Sequence, residues 1–255
     1  MNATHSGGPD PAIAEQALGH YGTQEKVSRV RATIAKRMLE SLDTSAQLTA
    51  TVEVDLSAIT ALRNREKEAF RAREGIGLSY LPFIVRATTE ALQAHPKLNA
   101  TLDLEAGTIT YPDGEHIGIA VDTPRGLLVP VVRDAGTLRV ADLAKSISEV
   151  ATRSQAGKLT AADLAGGTFT VTNYGSVGTL MDTPIINQPQ VAILGTGALT
   201  RRPVAVRSVD GEETIDIRDM MYLSLSYDHR LVDGADAARF LTQIKNRLEA
   251  GEFEM

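Results

Sequence analysis

A mixed β-sheet with helices packed against it, an α/β fold of α+β character, is the class this 255-residue sequence predicts. Three observations point there. Segments with an apolar residue at every second position, suited to a strand with one buried face, interleave throughout with segments whose apolar residues recur every three or four, suited to an amphipathic helix. Several of the alternating segments follow one another directly, without the intervening helix that a regular parallel barrel requires, so the sheet should be mixed. Finally, 43% of the residues are apolar and 23% charged, which suffices for one large core or two small ones.

The elements follow in order. Residues 1–25 carry Gly7, Gly8, Pro9, Pro11, Gly19 and Gly22 among small polar residues, the composition of a flexible linker, so the folded domain is expected over 26–255. Val30, Ile34, Met38 and Leu42 recur every four positions with Arg31, Lys36 and Arg37 between them, predicting an amphipathic helix that Ser28 can cap. QLTATVEVD, 47–55, alternates as a half-buried strand. A charged helix over 56–73 should end where Gly75 and Gly77 break the pattern, and LPFIVRATTEALQAH should form a more buried helix stopped by Pro96. Short strands are expected near 108–111, 117–122 and 127–132, then a helix near 139–155. Strands near 168–172, 191–196 and 221–227 precede a last helix from about Ala235 to Leu248. No internal repeat is visible.

The formal net charge of -6 offers no general attraction for nucleic acid or an anionic membrane surface. The chain has no cysteine, which excludes disulfides, thiolate metal ligands and a cysteine nucleophile, and fits a reducing, cytoplasmic setting. Its first residues lack a basic segment followed by an apolar run, so a secretory signal is not expected. No apolar stretch approaches the length of a membrane span. No histidine or carboxylate pair has metal-ligand spacing on a recognisable helix, and no metal is assigned.

Of five histidines, His5 and His20 fall in the linker, His95 ends a helix before Pro96, and His116 begins a strand. His229 differs, because SYDHRLVDGADAARF places it between a strand ending at Tyr227 and a helix, where sheets often deliver functional groups. Alone it is as readily structural as functional. Four residues on, Asp233 could fasten the loop or cap the following helix, and Gly234 could take a backbone conformation costly for other residues. Two competing motifs are weak. Gly195-Thr-Gly197 follows a strand, but Arg201, Arg202 and Pro203 stand where a dinucleotide fold needs a helix. NYGSVG does not match the nucleophile elbow of esterases.

SYDHRLVDGADAARFL resembles the His-x-x-x-Asp-Gly signature of the dihydrolipoamide acyltransferases and the related chloramphenicol acetyltransferases. Three further segments resemble the same family in the same order: SRVRATIAKRM, DTPRGLLVPVVRDA, and GGTFTVTNYGSVGTLMDTPIINQPQVAILGTGA. The resemblance implies a two-layer, chloramphenicol-acetyltransferase-like fold and a homotrimer with each active site at a subunit boundary. It matches the family's catalytic histidine to His229, its aspartate to Asp233, its oxyanion-binding hydroxyl to Thr172, and the arginine that pairs with the aspartate to Arg31.

The activity implied is acyl transfer between dihydrolipoamide and coenzyme A, at the core of a pyruvate or 2-oxoglutarate dehydrogenase complex. The lipoyl group would ride on a domain this chain does not contain. The partners would be a 2-oxo acid decarboxylase and dihydrolipoamide dehydrogenase. Acetyl is favoured over succinyl because Asp182, ten residues beyond Thr172, would repel a succinyl carboxylate if it faced the pocket. The polar, acidic ending LEAGEFEM suggests an isolated trimer in place of a large shell. Two other classes stay open at this stage: a free-standing acetyltransferase acting on a small hydroxyl acceptor, and a non-catalytic assembly core.

Overall fold

The computed structural model describes residues 21–208 and 210–255, so most of the expected linker, with His5 and His20, lies outside the described residues. The chain runs α1 (Arg29–Thr44), β1 (Gln47–Asp55), α2 (Ser57–Glu74), α3 (Leu81–Ala94), β2 (Thr101–Asp103), β3 (Thr108–Thr110), β4 (Ile117–Ile119), β5 (Val131–Val132), α4 (Val140–Gln155), β6 (Phe169–Asn173), β7 (Ala192–Thr196), β8 (Thr200–Arg207), β9 (Glu213–Asp228) and α5 (Gly234–Ala250). Local chemistry sets several of these ends. The Ser28 hydroxyl accepts the Arg31 N–H at 3.2 Å and caps α1. Gly75, at φ 73°, closes α2 in a left-handed conformation that favours glycine. Pro82 sits in the first turn of α3, where a missing N–H costs nothing.

The main sheet has the order β1-β9-β7-β6-β4-β5. β4, β6 and β7 are mutually parallel and the other pairings antiparallel, so the sheet is mixed as expected. β9 is its spine. Met220 pairs with Asp55 of β1 on one side and with Thr200 of β8 on the other, so β8 continues the edge along which β7 runs. The register advances by one residue between Thr196↔Leu223 and Thr200↔Met220, a bulge over residues 197–199.

Alternation along the strands divides the sheet into two chemically distinct faces. Tyr227, Ala192, Phe169 and Ile117 share one row, and Leu225, Leu194, Val171 and Ile119 the next. All eight are buried. The long helices α2 to α5 build the core with this face, with the Phe169 and Phe240 rings 5.9 Å apart and Phe83 edge-on to Phe253 at 5.5 Å. The opposite face is hydroxyl-rich: Thr49, Ser226, Ile193, Thr170 and Gly118 form one row, and Thr51, Ser224, Gly195 and Thr172 the next. Hydroxyl pairs Thr49–Ser226 (2.8 Å) and Thr51–Ser224 (3.1 Å) bridge β1 and β9 there.

The helix expected from Val30 to Leu42 is present as α1, but its apolar stripe is not covered within the chain: Val30 and Leu42 are 42% and 49% exposed, and Ser41 is the helix's one buried residue. The strand expectations are corrected. The strand expected over 127–132 shrinks to Val131–Val132 plus one bridge, Val121↔Leu128. β8 was not expected at all, and β9 starts at Glu213 where 221 was expected. Pro203 within TRRPVAVR disfavours a strand in the interior of a sheet. On an exposed hairpin, however, a proline can face away from the ladder, and Arg201 and Arg207 face Asp219 and Glu213 across the strands.

Candidate active site

The segment after β9 is held at its base by an ion pair that the sequence reading missed. The Asp228 side chain is 2% exposed and accepts the Arg230 guanidinium through both oxygens, at 2.7–3.0 Å. It also accepts the backbone N–H groups of Arg230 (3.1 Å) and Ala46 (3.3 Å). Burial pushes this carboxyl upward, but the Arg230 guanidinium and N–H outweigh burial and hold it below its usual range. The His229 N–H donates to the Ala46 carbonyl at 2.8 Å, and the N–H groups of Leu231 and Val232 donate back to the Asp228 carbonyl. The main chain on both sides of the histidine is therefore pinned to the α1–β1 connection and to itself.

The His229 ring points outward from this clamp. It is exposed, tilted 36° to the Tyr227 ring at 6.1 Å, and makes no side-chain hydrogen bond among the described residues. Asp233 caps α5 by accepting the Asp236 N–H at 2.8 Å, one of the two roles its spacing allowed. Gly234 needs no unusual backbone: its φ is not positive, and an added Cβ would meet only the Tyr227 hydroxyl, at 3.8 Å. Arg31 is exposed on the first turn of α1 with its guanidinium beside Gly126, and no ion pair joins it to Asp233 among the described residues. The pairing implied by the resemblance is thus absent within one chain, and Asp228–Arg230 fastens the loop in its place.

Thr172 lies on the hydroxyl-rich face of β6, half-buried, with no partner for its hydroxyl among the described residues. Its neighbour across the parallel pairing is Gly195, and beyond that Ser224. Tyr174, two residues on and so on the same face, folds its ring over Gly195, where a Cβ would lie 2.9 Å from the phenol oxygen. Burial raises the Tyr174 phenol above its usual range, and Ser224 and Asp182 are its polar neighbours. Asp182, singled out from its spacing to Thr172, is exposed and belongs to this neighbourhood. No signal in the sequence marked Tyr174, because its position depends on the absence of a side chain on another strand.

His229 and Thr172 do not meet in one chain. His229 is five residues beyond Ser224 along β9, about 17 Å, and Thr172 is two strands to the side, about 10 Å. The chain therefore presents an unbonded imidazole at one place and an unbonded hydroxyl about 20 Å away.

The model of the 2-oxoacid dehydrogenases acyltransferase (catalytic domain) family matches residues 20–254. The sequence is 52% identical over 238 residues to the dihydrolipoyllysine-residue acetyltransferase component of the pyruvate dehydrogenase complex of Mycobacterium bovis, covering 93% of this chain and 43% of that protein. It is 46% identical over 223 residues to the dihydrolipoyllysine-residue succinyltransferase component of the 2-oxoglutarate dehydrogenase complex of Escherichia coli, covering 88% and 53% respectively. The chain thus spans about half the length of these curated relatives.

Among solved structures, the dihydrolipoamide acetyltransferase of Azotobacter vinelandii superimposes with a TM-score of 0.83 at 34% identity, covering 91% of this chain and 94% of that one. A serine, a histidine and an asparagine four residues after the histidine have been investigated for their role in its catalytic mechanism. A chloramphenicol acetyltransferase matches with a TM-score of 0.50 at 15% identity over 87% of this chain and 96% of that one, which shows a shared fold.

Proposed function

The chain belongs to the 2-oxoacid dehydrogenase acyltransferase family, and from that premise we propose that it moves an acyl group, acetyl in preference to succinyl, between dihydrolipoamide and coenzyme A. The observation that carries this reading is the pinned loop that presents His229 as an exposed imidazole with no internal partner. Both substrates react through thiols, and a thiol with a pKa near ~8.5 is mostly protonated at neutral pH. In this reading His229 takes the proton as the sulfur attacks the thioester carbonyl, a role worth roughly 10² to 10⁴ in rate. A C–S bond forms, the carbonyl oxygen becomes an oxyanion, and the Thr172 hydroxyl donates to it. The intermediate then expels the second thiol, which recovers its proton from His229. In this reading transfer is direct between the two thiols, and a cysteinyl acyl-enzyme is excluded because the chain has no cysteine. The four-residue spacing of His229 and Asp233 equals that of the histidine and asparagine of the Azotobacter enzyme.

The distance between His229 and Thr172 supports a site shared by two copies, and a ring of three closes such contacts without leaving an open end. The uncovered stripe on α1 gives a second copy an apolar surface to bury, and Arg31 on that helix is free to meet a carboxylate there. In the cell the chain would act in a cytoplasmic complex with a 2-oxo acid decarboxylase and dihydrolipoamide dehydrogenase, receiving lipoyl groups from a separate domain. The acetyl preference is supported by the higher identity to the acetyltransferase component and by Asp182, whose charge disfavours a second carboxylate nearby.

Complementation tests the reading. His229→Ala and Thr172→Ala, each expected to keep about 1% or less of the activity alone, are co-expressed and assayed with acetyl-CoA and dihydrolipoamide. Random mixing in a closed trimer restores about one intact site in four. A His229→Ala protein with full activity, or a mixture with none beyond the single variants, would overturn the shared-site chemistry.

A further inference from the structure

The surface next to Thr172 is closed by a single side chain. Thr172 and Gly195 are directly paired on adjacent parallel strands, so their side-chain positions stand on the same face about 4.8 Å apart. Gly195 leaves its position vacant and the Tyr174 ring occupies it, with a Cβ at Gly195 falling 3.0 Å from the ring carbon that bears the hydroxyl. The phenol oxygen, fully buried and without a well-aligned hydrogen bond, reaches on to Ser224 of β9. The ring therefore spans from β6 across β7 towards β9, alongside the unbonded Thr172 hydroxyl.

This ring cannot be moved aside by its backbone. Tyr174 begins a tight turn in which the Val177 and Gly178 N–H groups donate to the Tyr174 and Gly175 carbonyls, and the Ser176 hydroxyl donates to the Asn173 carbonyl at 3.1 Å. Gly178, at φ 90°, takes a left-handed conformation. The turn is also tied to the bulge between β7 and β8. The Ala198 N–H donates to the Thr179 carbonyl at 2.9 Å, and a Cβ on Gly175 would overlap the Gly197 carbonyl and the Ala198 nitrogen. Two segments of main chain thus approach each other as closely as glycine permits.

We propose that Tyr174 is a specificity-determining residue: its ring is the end wall of the acyl pocket and restricts the transferred group to about two carbons. The proposal rests on the reading that Thr172 holds the thioester carbonyl oxygen. With that oxygen at the Thr172 hydroxyl, the acyl chain extends along the face that Tyr174 fills, and each further methylene meets the fixed ring. Exclusion of one methylene by a rigid pocket is worth roughly 10- to 200-fold in kcat/KM.

The test compares kcat/KM for acetyl-, propionyl- and butyryl-CoA with dihydrolipoamide in the wild type and in Tyr174→Phe, Tyr174→Leu and Tyr174→Ala, with thermal melts on each. The wild type should favour acetyl over butyryl. Tyr174→Ala should raise the butyryl-to-acetyl ratio at least ~10-fold, chiefly through the butyryl term, and Tyr174→Leu should raise it by less. Tyr174→Phe, which keeps the ring, should hold the ratio within about twofold of the wild type. An unchanged ratio in folded Tyr174→Leu or Tyr174→Ala overturns the wall, and so does a shift in Tyr174→Phe as large as that in Tyr174→Ala. A wild type that transfers no acyl group to dihydrolipoamide would instead sink the functional reading itself, and the wall with it.

Discussion

Replacing Asp228 by asparagine asks whether the loop bearing His229 is held by charge. In the wild type this carboxylate is buried, takes both arms of the Arg230 guanidinium and accepts two backbone N–H groups. Asparagine keeps one acceptor oxygen, turns an amide N–H₂ towards a cation, and strands the arginine. Breaking one side of a buried pair typically costs about 3–5 kcal/mol. The Arg230 side chain is 26% exposed and can recover part of its hydration, so the expected loss falls below that range, at about 2–3 kcal/mol. For a domain of this size that lowers Tm by about 5–10 °C.

The rate should fall more than the affinity. A displacement of about 1 Å in a catalytic group can cost roughly 10²-fold, so kcat should drop by about 10- to 100-fold while KM changes little. The pH dependence has a definite sign. The folded-state pKa of Asp228 is lowered, so its contribution is fully present above the unfolded carboxyl value near ~3.9 and is lost as the pH falls through the lowered folded value. The Tm difference between wild type and Asp228→Asn should therefore be constant from neutral pH down to about 5 and shrink in stronger acid. Equal melting temperatures at pH 7, or a difference undiminished in acid, would refute the clamp.

The other expectations separate chemistry from stability. His229→Ala should lose roughly 10² to 10⁴ in kcat with a change in unfolding free energy within about 0.5 kcal/mol, since the ring is exposed and makes no hydrogen bond among the described residues, with only a tilted contact to the Tyr227 ring; denaturant titration beside single-turnover rates checks both. Thr172→Ala should raise the barrier by about 3 kcal/mol, whereas Thr172→Ser, which keeps the donor, should retain most of the rate. Asp233→Ala removes the cap of α5 and should cost about 1 kcal/mol in urea unfolding.

Legibility followed how local each feature's cause is. The alternation of QLTATVEVD identified β1 to the residue, and Ser28 and Asp233 were readable as caps because a cap is a contact across three residues. β8 was hidden because an exposed hairpin edge needs no apolar alternation and tolerates Pro203. Asp228 and Arg230 flank the histidine in the chain, yet nothing in their spacing says that the carboxylate turns inward and the guanidinium follows it. The Arg31–Asp233 pairing, carried over from the family, failed within the chain for the converse reason: it requires two distant segments to meet, and residue identities cannot show that they do. His229 and Thr172 were found by resemblance, but their separation is a property of strand order, since two intervening pairings set the lateral distance.

That strand order also explains how one sheet serves both stability and chemistry. On β9, Met221, Leu223, Leu225 and Tyr227 face the helices, and the alternate residues Tyr222, Ser224, Ser226 and Asp228 face the other way. Apolar burial on the first face, roughly 1.5–3 kcal/mol for each large side chain, fixes the register, because a slip of one residue would exchange the two sets. With the register fixed, Ser224 must stand beside Gly195, Gly195 beside Thr172, and Asp228 at the strand's end beside Ala46. The hydroxyl-rich face therefore inherits its precision from a core it does not touch. Changes to the acyl pocket can be made on one face at little cost to the other only where, as at Tyr174, the side chain rests on a glycine and not on the core.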